Sequence, residues 1–293
     1  MSMGPGVWPL AWHFDLGPIN FTVLTCCSVT KPALPSPSSI THLHLLSAIN
    51  TESQNLRCFR ILDVGCGAGK MLTYFADAFA KLRPDTQVEL HGMDVTSVGF
   101  DKIEGFFPSA PNIKIVQTGV PWPYPDGHFD FVVSNQVLEH VKDADFFFSQ
   151  VHRVLQEGGV SFHLFPLKNC LWEGHLLMPL AHRFIDHDAQ VRWIALMQKI
   201  GFSKRLEPEQ AADSLLYYTH YRSRTELLAT IKRADLRPSF RYTPKFYTAK
   251  LRSILKMSPH YAYKSRRTGW LSLKFFSYVS SITVRAEKKN LHQ

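Results

Sequence analysis

The sequence predicts an α/β protein with a parallel sheet and helices on both of its faces. Two observations lead to this prediction. Apolar segments of strand length alternate with segments of helical periodicity from residue 58 onward, a pattern typical of a doubly wound sheet. The first strand also runs into a glycine-rich turn and a helix, and in such sheets ligands bind at the carboxyl ends of the strands.

The first strand, turn and helix give the clearest signal. Strand one is expected at residues 58–64, followed by a turn with glycine at every second position, at Gly65, Gly67 and Gly69. Glycine adopts positive φ and lets a ligand lie against the main chain. A helix is expected at residues 70–82, where apolar residues recur at helical spacing until Pro84.

The next elements continue the alternation. Strands are expected at 87–94, 113–117 and 128–134, and a helix at 98–107. A further helix is expected to begin after the N-cap residue Asp143 and to end at Gly158 and Gly159, because glycine commonly follows a helix C-terminus. Strand five is then expected at 160–165.

The C-terminal half contains more sequence than this alternation needs. Residues 168–222 are expected to form a helical lid insertion on the substrate side, after strand five, and residues 246–278 a second, basic insertion. A helix at 223–234 and strands at 239–243 and 280–286 are expected to complete the sheet.

The N-terminal segment differs in composition. Residues 1–38 contain six prolines and only two charged residues, which predicts a poorly ordered extension. Residues 39–51 show a short helical pattern that could cover a ligand pocket. Residues 39–293 are expected to form one domain, since a chain with 45% hydrophobic residues can bury a full core.

Charge is distributed unevenly along the chain. The formal net charge is +9, and residues 244–293 hold almost all of the excess, with Glu287 as their single acid. A basic segment of this kind can meet an anionic substrate, a membrane surface or nucleic acid, or can form a solvated face. All four interpretations stay open at this point.

Cysteine and hydropathy patterns bear on location and metal binding. The five cysteines form no C-x-x-C pair, and the histidines and acids show no standard metal-ligand spacing. No apolar segment reaches the roughly 20 residues that span a bilayer, and no secretory signal precedes the fold. The expectation is a cytoplasmic protein with reduced thiols and no metal centre.

The spacing of the glycines separates two classes of ligand. Dinucleotide-binding proteins have the order G-x-G-x-x-G, with a pyrophosphate on the helix N-terminus. Here the order is G-x-G-x-G, and Asp63 precedes it. A carboxylate at the strand end would repel a pyrophosphate, but it would attract a ligand that carries an ammonium group.

This turn resembles the first motif of the class I S-adenosylmethionine-dependent methyltransferases. Asp94 lies 25 residues after Gly69, where that family has the acid that binds the ribose hydroxyls. Residues 121–141 resemble the subgroup that methylates quinone precursors and that also contains many small-molecule methyltransferases. The resemblance covers residues 58–166.

The resemblance implies a Rossmann-like, seven-stranded sheet with the order 3-2-1-4-5-7-6 and an antiparallel strand seven. It also implies S-adenosylmethionine as the cofactor and a small organic acceptor, methylated on oxygen, nitrogen or carbon by in-line displacement. The basic C-terminal segment is consistent with an anionic or lipid-linked acceptor.

Carried over position by position, the resemblance assigns the cofactor contacts. Asp63 addresses the ammonium group, and Asn135 offers its carbonyl to the same group. Val95 packs on adenine. The acid that usually follows strand three is missing, and Thr118 and Gly119 are its expected substitutes. The complete set of expected cofactor-binding residues is Asp63, Gly65, Cys66, Gly67, Gly69, Asp94, Val95, Thr118, Gly119, Asn135 and Gln136.

Three histidines are candidates for the acceptor side. His140 follows strand four at the mouth of the expected pocket, and His175 and His182 lie seven residues apart in the insertion. In a helix these two would share a face, although Pro179 interrupts such a helix. His140 is expected to act as a base, or else to be a structural residue that lines the pocket. His175 or His182 is expected to face the acceptor as a base or hydrogen-bond donor, or else to pair within the insertion.

Two other function classes stay open. The missing acid at Thr118 favours a catalytically inactive binding or scaffold protein, which the intact glycine turn opposes. A nucleic-acid methyltransferase would use the basic segment as its electrostatic footprint. Asn135 is not followed by the two prolines typical of that class, so nucleic acid is the less favoured partner.

Overall fold

A seven-stranded sheet forms the centre of the protein in a computed structural model that describes residues 39–95, 113–117, 121–184, 186–202, 206–254 and 281–289. Its strands are β1 (Cys58–Val64), β2 (Gln87–Asp94), β3 (Ile113–Gln117), β4 (Phe129–Asn135), β5 (Leu155–Pro166), β8 (Leu236–Ser239) and β9 (Ser281–Lys288). A separate hairpin consists of β6 (Trp172–Glu173) and β7 (Met178–Pro179). The extension expected at residues 1–38, the helix expected at 98–107 and most of the basic insertion lie outside the described residues.

The sheet has the strand order β3-β2-β1-β4-β5-β9-β8. The first five strands pair in parallel, whereas β9 runs antiparallel to both β5 and β8. Numbered along the chain, the order reads 3-2-1-4-5-9-8 instead of the expected 3-2-1-4-5-7-6, because the two hairpin strands β6 and β7 were not expected. The segments expected as strands seven and six correspond to β9 and β8.

Helices cover both faces of this sheet. Within the described ranges they are α1 (Ile40–Glu52), α2 (Lys70–Leu82), α3 (Ala144–Val154), α4 (His187–Lys199), α5 (Pro208–Tyr218), α6 (Arg224–Arg233) and α7 (Thr243–Ile254). Helices α1, α2 and α7 pack on one face and share a buried cluster in which Phe59 meets Phe79 edge to face. Helices α3 and α6 pack on the other face around Phe148 and Leu227. Burial of each such side chain contributes about 1.5–3 kcal/mol.

The helix after β4 begins where the sequence predicts but ends earlier. The Asp143 carboxylate accepts from the Phe146 N–H at 2.8 Å and forms the expected N-cap. The helix then ends at Val154 rather than at Gly158, because Leu155 already pairs with Phe129 in β4 and is fully buried. The two glycines lie inside β5, where its register against β4 shifts.

Strand six was also misplaced in the sequence prediction. It was expected at 239–243 and lies at 236–239. Thr243 instead begins α7, where its hydroxyl donates to the Thr283 carbonyl at 2.9 Å and accepts from the Thr283 N–H at 3.0 Å. This exchange with β9 fixes the start of the helix and leaves no room for a longer strand.

The insertion after β5 has a small core of its own. Its buried apolar residues come from the hairpin, α4 and α5, and include Met178, Ile194 and Leu215. The segment around His175 and His182 is not a helix: it forms the β6–β7 hairpin and the 3-10 helix Ala181–Arg183. The two histidines therefore do not share a helix face.

The packing around β5 predicts a selective effect of adding one methyl group. A Cβ at Gly159 would lie 2.8 Å from the Gln156 carbonyl oxygen and 3.2 Å from that of Asp130, whereas a Cβ at Gly174 would meet no described atom within 4 Å. Gly159→Ala should lower the free energy of unfolding by about 1–3 kcal/mol through overpacking. Gly174→Ala should change it by less than about 0.5 kcal/mol. Urea unfolding measures both, and equal midpoints for the two variants would contradict the prediction.

Candidate active site

Three polar side chains gather at the carboxyl ends of the central strands. Asp63 pairs with Gly92 in β2 and with Val133 in β4. Asp94 and Asn135 each lie two residues beyond those partners. Since strand residues two apart point to the same side of a sheet, all three side chains point to the face covered by α1 and α2. The fold thus brings together three residues taken from separate motifs.

The glycine-rich turn lies beside them and is open at one position. The N–H groups of Gly65 and Cys66 donate to the Met93 carbonyl at 2.7 and 3.1 Å, which ties the turn to β2. The Gly67 N–H donates to Asp94 Oδ2 at 2.9 Å. Gly67 has a φ of 49°, and a Cβ added there would meet no atom of the described ranges within 4 Å. A ligand can therefore approach the main chain at Gly67.

Gly65 serves a different purpose. A Cβ at Gly65 would overlap Cγ2 of Val137, so the absent side chain lets the segment after β4 lie against the turn. The His140 N–H donates to the Val137 carbonyl at 2.8 Å, within the 3-10 helix Leu138–His140. This contact places His140 close to the glycine-rich turn.

Two buried oxygens at these strand ends, Asp63 Oδ1 and Asn135 Oδ1, have no hydrogen-bond partner among the described residues. Asp63 is 1% exposed, and burial, assisted by the charge of Asp94, raises the pKa of its carboxyl well above the usual value. Asn135 Nδ2 donates to Thr41 Oγ1 at 3.1 Å, so α1 fixes the orientation of this amide. A buried acceptor without a donor costs folding free energy. Both oxygens therefore suit a ligand that brings N–H donors.

The other expected cofactor residues differ in burial and in their contacts. Cys66 is buried, which raises the pKa of its thiol and keeps it neutral. Gly69 is the N-cap of α2. Val95 is 73% exposed, and the Gln136 side chain donates to Ser281 Oγ at 2.9 Å on β9. Thr118 and Gly119 lie outside the described residues.

On the acceptor side, His140 and His175 form a pair. Their Nε2 atoms lie 3.1 Å apart, and the two rings meet edge to face. His140 Nδ1 lies 2.7 Å from the Tyr218 carbonyl oxygen, and His175 Nδ1 lies 2.7 Å from Glu173 Oε1. Each Nδ1 thus faces an acceptor and donates its proton, so the contact between the two Nε2 atoms is a hydrogen bond when one of the two rings carries a second proton.

Glu173 holds this arrangement from within the insertion. Its carboxylate is fully buried and also accepts from the Tyr221 hydroxyl at 2.7 Å and from the Leu176 N–H at 2.5 Å. Burial raises the pKa of Glu173, but these donors, with His175, outweigh burial and lower it. Burial likewise lowers the pKa of His175, but the hydrogen bond and charge of Glu173 outweigh it and raise the pKa.

Glu139 lies beside these residues, and Glu139, His140, Glu173 and His175 are together called the histidine group. Glu139 is 1% exposed, and neither of its carboxyl oxygens has a hydrogen-bond partner in the part of the chain that the structure describes. Burial raises the pKa of Glu139 to about 7 and lowers that of its neighbour His140. One oxygen of Glu139 and one nitrogen each of His140 and His175 lie within 4.8 Å of one another.

His182 lies near this group without joining it. Its ring packs 4.6 Å from that of Tyr221, and its Nε2 lies 3.2 Å from the Lys168 carbonyl oxygen. Burial lowers the pKa of His182. The structure therefore connects His140 with His175, and not His175 with His182 as the seven-residue spacing suggested.

Arg222 ties the insertion to the segment that carries Glu139 and His140. Its guanidinium donates at 2.5–3.0 Å to the carbonyls of Leu138, Val141, Lys142 and His220. The His220 N–H also donates to the Glu139 carbonyl at 2.5 Å. Arg222 thus fixes the main chain that carries Glu139 and His140 against the C-terminal end of the insertion.

The sequence analysis did not assign roles to Glu139 and Glu173. Glu139 stands next to His140, and Glu173 stands two residues before His175, so each acid has a candidate histidine beside it in the chain. That proximity is the one signal that could have identified them. Their meeting depends on the hairpin, which the sequence did not predict.

A comparison with known families matches residues 30–209 to a methyltransferase domain. The chain belongs to this methyltransferase family. The resemblance to the S-adenosylmethionine-dependent methyltransferases is thereby confirmed, and S-adenosylmethionine is the cofactor of the family. The finer assignment to the quinone-precursor subgroup stays a prediction.

Two proteins to which this methyltransferase is similar share little sequence identity with it. It is similar to phosphoethanolamine N-methyltransferase 2 of Caenorhabditis elegans, at 27% identity over 103 residues, covering 34% of this chain and 22% of the relative. The chain thus matches about a fifth of that relative's length. Among solved structures it is similar to an S-adenosylmethionine-dependent methyltransferase from Mesorhizobium loti, with a TM-score of 0.52 and 15% identity over 85% of this chain and 100% of the other. At that identity the likeness concerns the fold.

In the described ranges, every helix is too short or too polar to cross a membrane.

The burial of Asp63 predicts a pH-dependent cost. Because its folded-state pKa lies above the unfolded value, the wild type loses stability as the pH rises toward the folded pKa. Asp63→Asn removes the charge and should stabilise the ligand-free protein by about 1–3 kcal/mol at pH 8, and by less at pH 5. Urea unfolding at the two pH values measures this, with Asp77→Asn on the exposed side of α2 as the matched control. A gain equal to that of the control would show that Asp63 is not electrostatically strained.

Proposed function

We propose that this protein transfers a methyl group from S-adenosylmethionine to a small organic acceptor. The observation that carries the proposal is the pair of buried oxygens of Asp63 and Asn135, which lack partners among the described residues, beside main chain at Gly67 that no described atom covers. An α-ammonium group supplies N–H donors and a positive charge, which is what such a site lacks. The family match supports the same reaction class.

The cofactor would be held mostly by main chain and carboxylates. Asp63 and Asn135 would accept from its ammonium group, and Gly65, Cys66 and Gly67 would lie along its methionine part. Asp94 keeps the turn in place through the Gly67 N–H and would accept from the ribose hydroxyls. Val95, with its exposed side chain, would pack on adenine.

The remaining cofactor assignments are part of the same proposal. Gly69 would keep the turn in its left-handed conformation at the start of α2, and Gln136 would contribute main chain beyond β4. Thr118 and Gly119 would meet the adenine amino group in place of the usual acid.

The chemistry asks little of the protein beyond alignment. S-adenosylmethionine supplies a methyl group on a positively charged sulfur, already activated for in-line displacement. The acceptor atom forms the new bond to carbon while the carbon–sulfur bond breaks. Holding the two reactants aligned and dry can supply several kcal/mol, on the order of what orientation effects give in other enzymes.

His140 and His175 would take up the proton that the acceptor releases. Their facing Nε2 lone pairs can hold one proton between them, and Glu173 would stabilise the resulting positive charge through His175 Nδ1. His182 would act as a base through its Nδ1 at the edge of the acceptor pocket, because its Nε2 faces the Lys168 carbonyl. These roles apply when the acceptor is a hydroxyl, an ammonium or a carbon acid.

The acceptor itself is proposed as a class. The name of the C. elegans relative points to an amine acceptor that carries a phosphate, whereas residues 121–141 favour a phenolic quinone precursor. The basic C-terminal segment is consistent with either an anionic or a lipid-linked molecule. Acceptors with an oxygen, a nitrogen or a carbon nucleophile are all to be tested. The cytoplasmic location of the protein stays a prediction.

Cofactor binding provides the first test. The wild type should bind S-adenosylmethionine in calorimetry, and Asp94→Asn should weaken binding about 10- to 100-fold, the usual loss when a charged acceptor is neutralised. The asparagine oxygen can still accept from Gly67, so the turn is kept. Asp85→Asn, an exposed acid away from the strand ends, is the control. Absence of heat at millimolar cofactor in the wild type would instead favour the inactive binding protein.

The histidine pair provides the second test. His140→Ala and His175→Ala should each lower turnover about 10²- to 10⁴-fold while the affinity for S-adenosylmethionine is kept. Radiolabelled methyl transfer to phosphoethanolamine and to phenolic acceptors measures the rate. His187→Ala, on α4 and bonded to Asp213, should leave the rate unchanged. Unaltered turnover in both pair variants would remove the base from the mechanism.

A further inference from the structure

The two imidazoles of the histidine group leave a place for a cation between them. His140 Nδ1 faces a carbonyl and His175 Nδ1 faces a carboxylate, so each Nδ1 donates its proton. In the neutral pair the two Nε2 atoms then point lone pairs at each other across 3.1 Å. Either a second proton on one ring or a metal ion between the two nitrogens removes that repulsion.

The same space is lined by the carboxyl group of Glu139, which has no hydrogen-bond partner in the described chain. Both oxygens of Glu139 are buried and make no hydrogen bond to the residues that the structure describes. One of them lies within 4.8 Å of the histidine nitrogens. A buried carboxylate so placed is expected to be paired or to coordinate a metal ion.

We propose that Glu139, His140 and His175 form a binding site for a divalent transition-metal ion, of which zinc is the best match. Two imidazoles and one carboxylate with an open fourth position are the ligand set typical of catalytic zinc. Two nitrogens each about 2.0–2.1 Å from one ion, at angles of about 90–109°, lie about 2.8–3.4 Å apart. The observed 3.1 Å falls inside that interval.

The surroundings support the same ligand set. Glu173 accepts from His175 Nδ1, the arrangement of a carboxylate behind a metal-bound histidine, and the Tyr218 carbonyl does the same for His140. The charges of Glu139 and Glu173 together would balance a divalent cation. The His175 side chain is 24% exposed, which leaves an entry route. Glu139 has to move closer to the nitrogens by side-chain rotation.

The metal site stands on this geometry alone, and its role in catalysis rests on the proposed function. With a metal bound, the Nε2 lone pairs are occupied and no longer accept a proton. The open coordination position would then bind an acceptor oxygen and lower its pKa, so that the acceptor loses its proton more readily to solvent, which reaches the site beside His175. The metal-free protein would rely on the histidine pair as a base.

The test uses the full chain after a chelator has removed any bound metal ion. Cobalt(II) gives visible absorption bands when histidine ligands bind it, and zinc affinity follows from competition with a chromophoric chelator. The wild type should bind about one equivalent of either ion. Glu139→Gln and His175→Ala should weaken binding at least about 10-fold. Glu173→Gln, which weakens the support of His175 and also changes the acceptor of Tyr221 and Leu176, should weaken binding about 10- to 100-fold. His187→Ala, which removes a histidine paired with Asp213, should bind as the wild type does.

Circular dichroism and calorimetry with S-adenosylmethionine on the same samples show whether each variant folds and keeps its cofactor site. If the protein binds metal but not S-adenosylmethionine, the metal site is supported and the proposed function is contradicted. If the protein binds S-adenosylmethionine and transfers methyl groups but takes up neither ion, the metal site is overturned, and a proton lies between the two histidines instead. Equal metal affinity in the wild type and all variants would overturn the metal site as well.

Discussion

A buried carboxylate without a partner is the constraint on which the rest of this structure depends. Asp63 and Glu139 are each about 1% exposed and each keeps oxygen atoms without a donor in the described chain. Folding bears such a cost only where the surrounding packing holds the group in place. Asp63 is held by the parallel pairing of β1 between β2 and β4. Glu139 is held by the short helix after β4 and by the main chain of His220.

The glycine-rich turn and the histidine group are connected through a short stretch of main chain. Asn135 ends β4 beside the turn, and His140 stands five residues later in the chain. Between them Val137 lies against Gly65, which has no side chain to keep it away. Arg222 then binds the carbonyls on either side of His140 and joins them to the end of the insertion through the His220 carbonyl. The segment that carries His140 is thus held by the glycine-rich turn on one side and by Arg222 on the other.

Local signals in the sequence identified the elements that local forces determine. The N-cap at Asp143 and the end of α2 before Pro84 agree with the structure, because a cap and a proline act on their own turn. Gly158 misled the prediction because the pairing of Leu155 with β4 is a tertiary effect that overrides a helix-ending residue. The seven-residue spacing of the insertion histidines misled it for the same reason, since the segment folds as a hairpin.

The histidine group shows why residue identity alone could not reveal this part of the site. Glu139 and His140 are separated from His175 by 35 residues, and the hairpin that brings His175 back has no strong sequence signal. The decisive property is the direction of each ring, which the Tyr218 carbonyl and Glu173 set from outside the pair. A neutral imidazole whose Nδ1 proton is engaged must offer its Nε2 as an acceptor. Two such acceptors beside the buried carboxyl of Glu139 are the basis of the proposed metal site, whereas Asp63 and the glycine-rich turn are the basis of the proposed cofactor site a short distance along the chain.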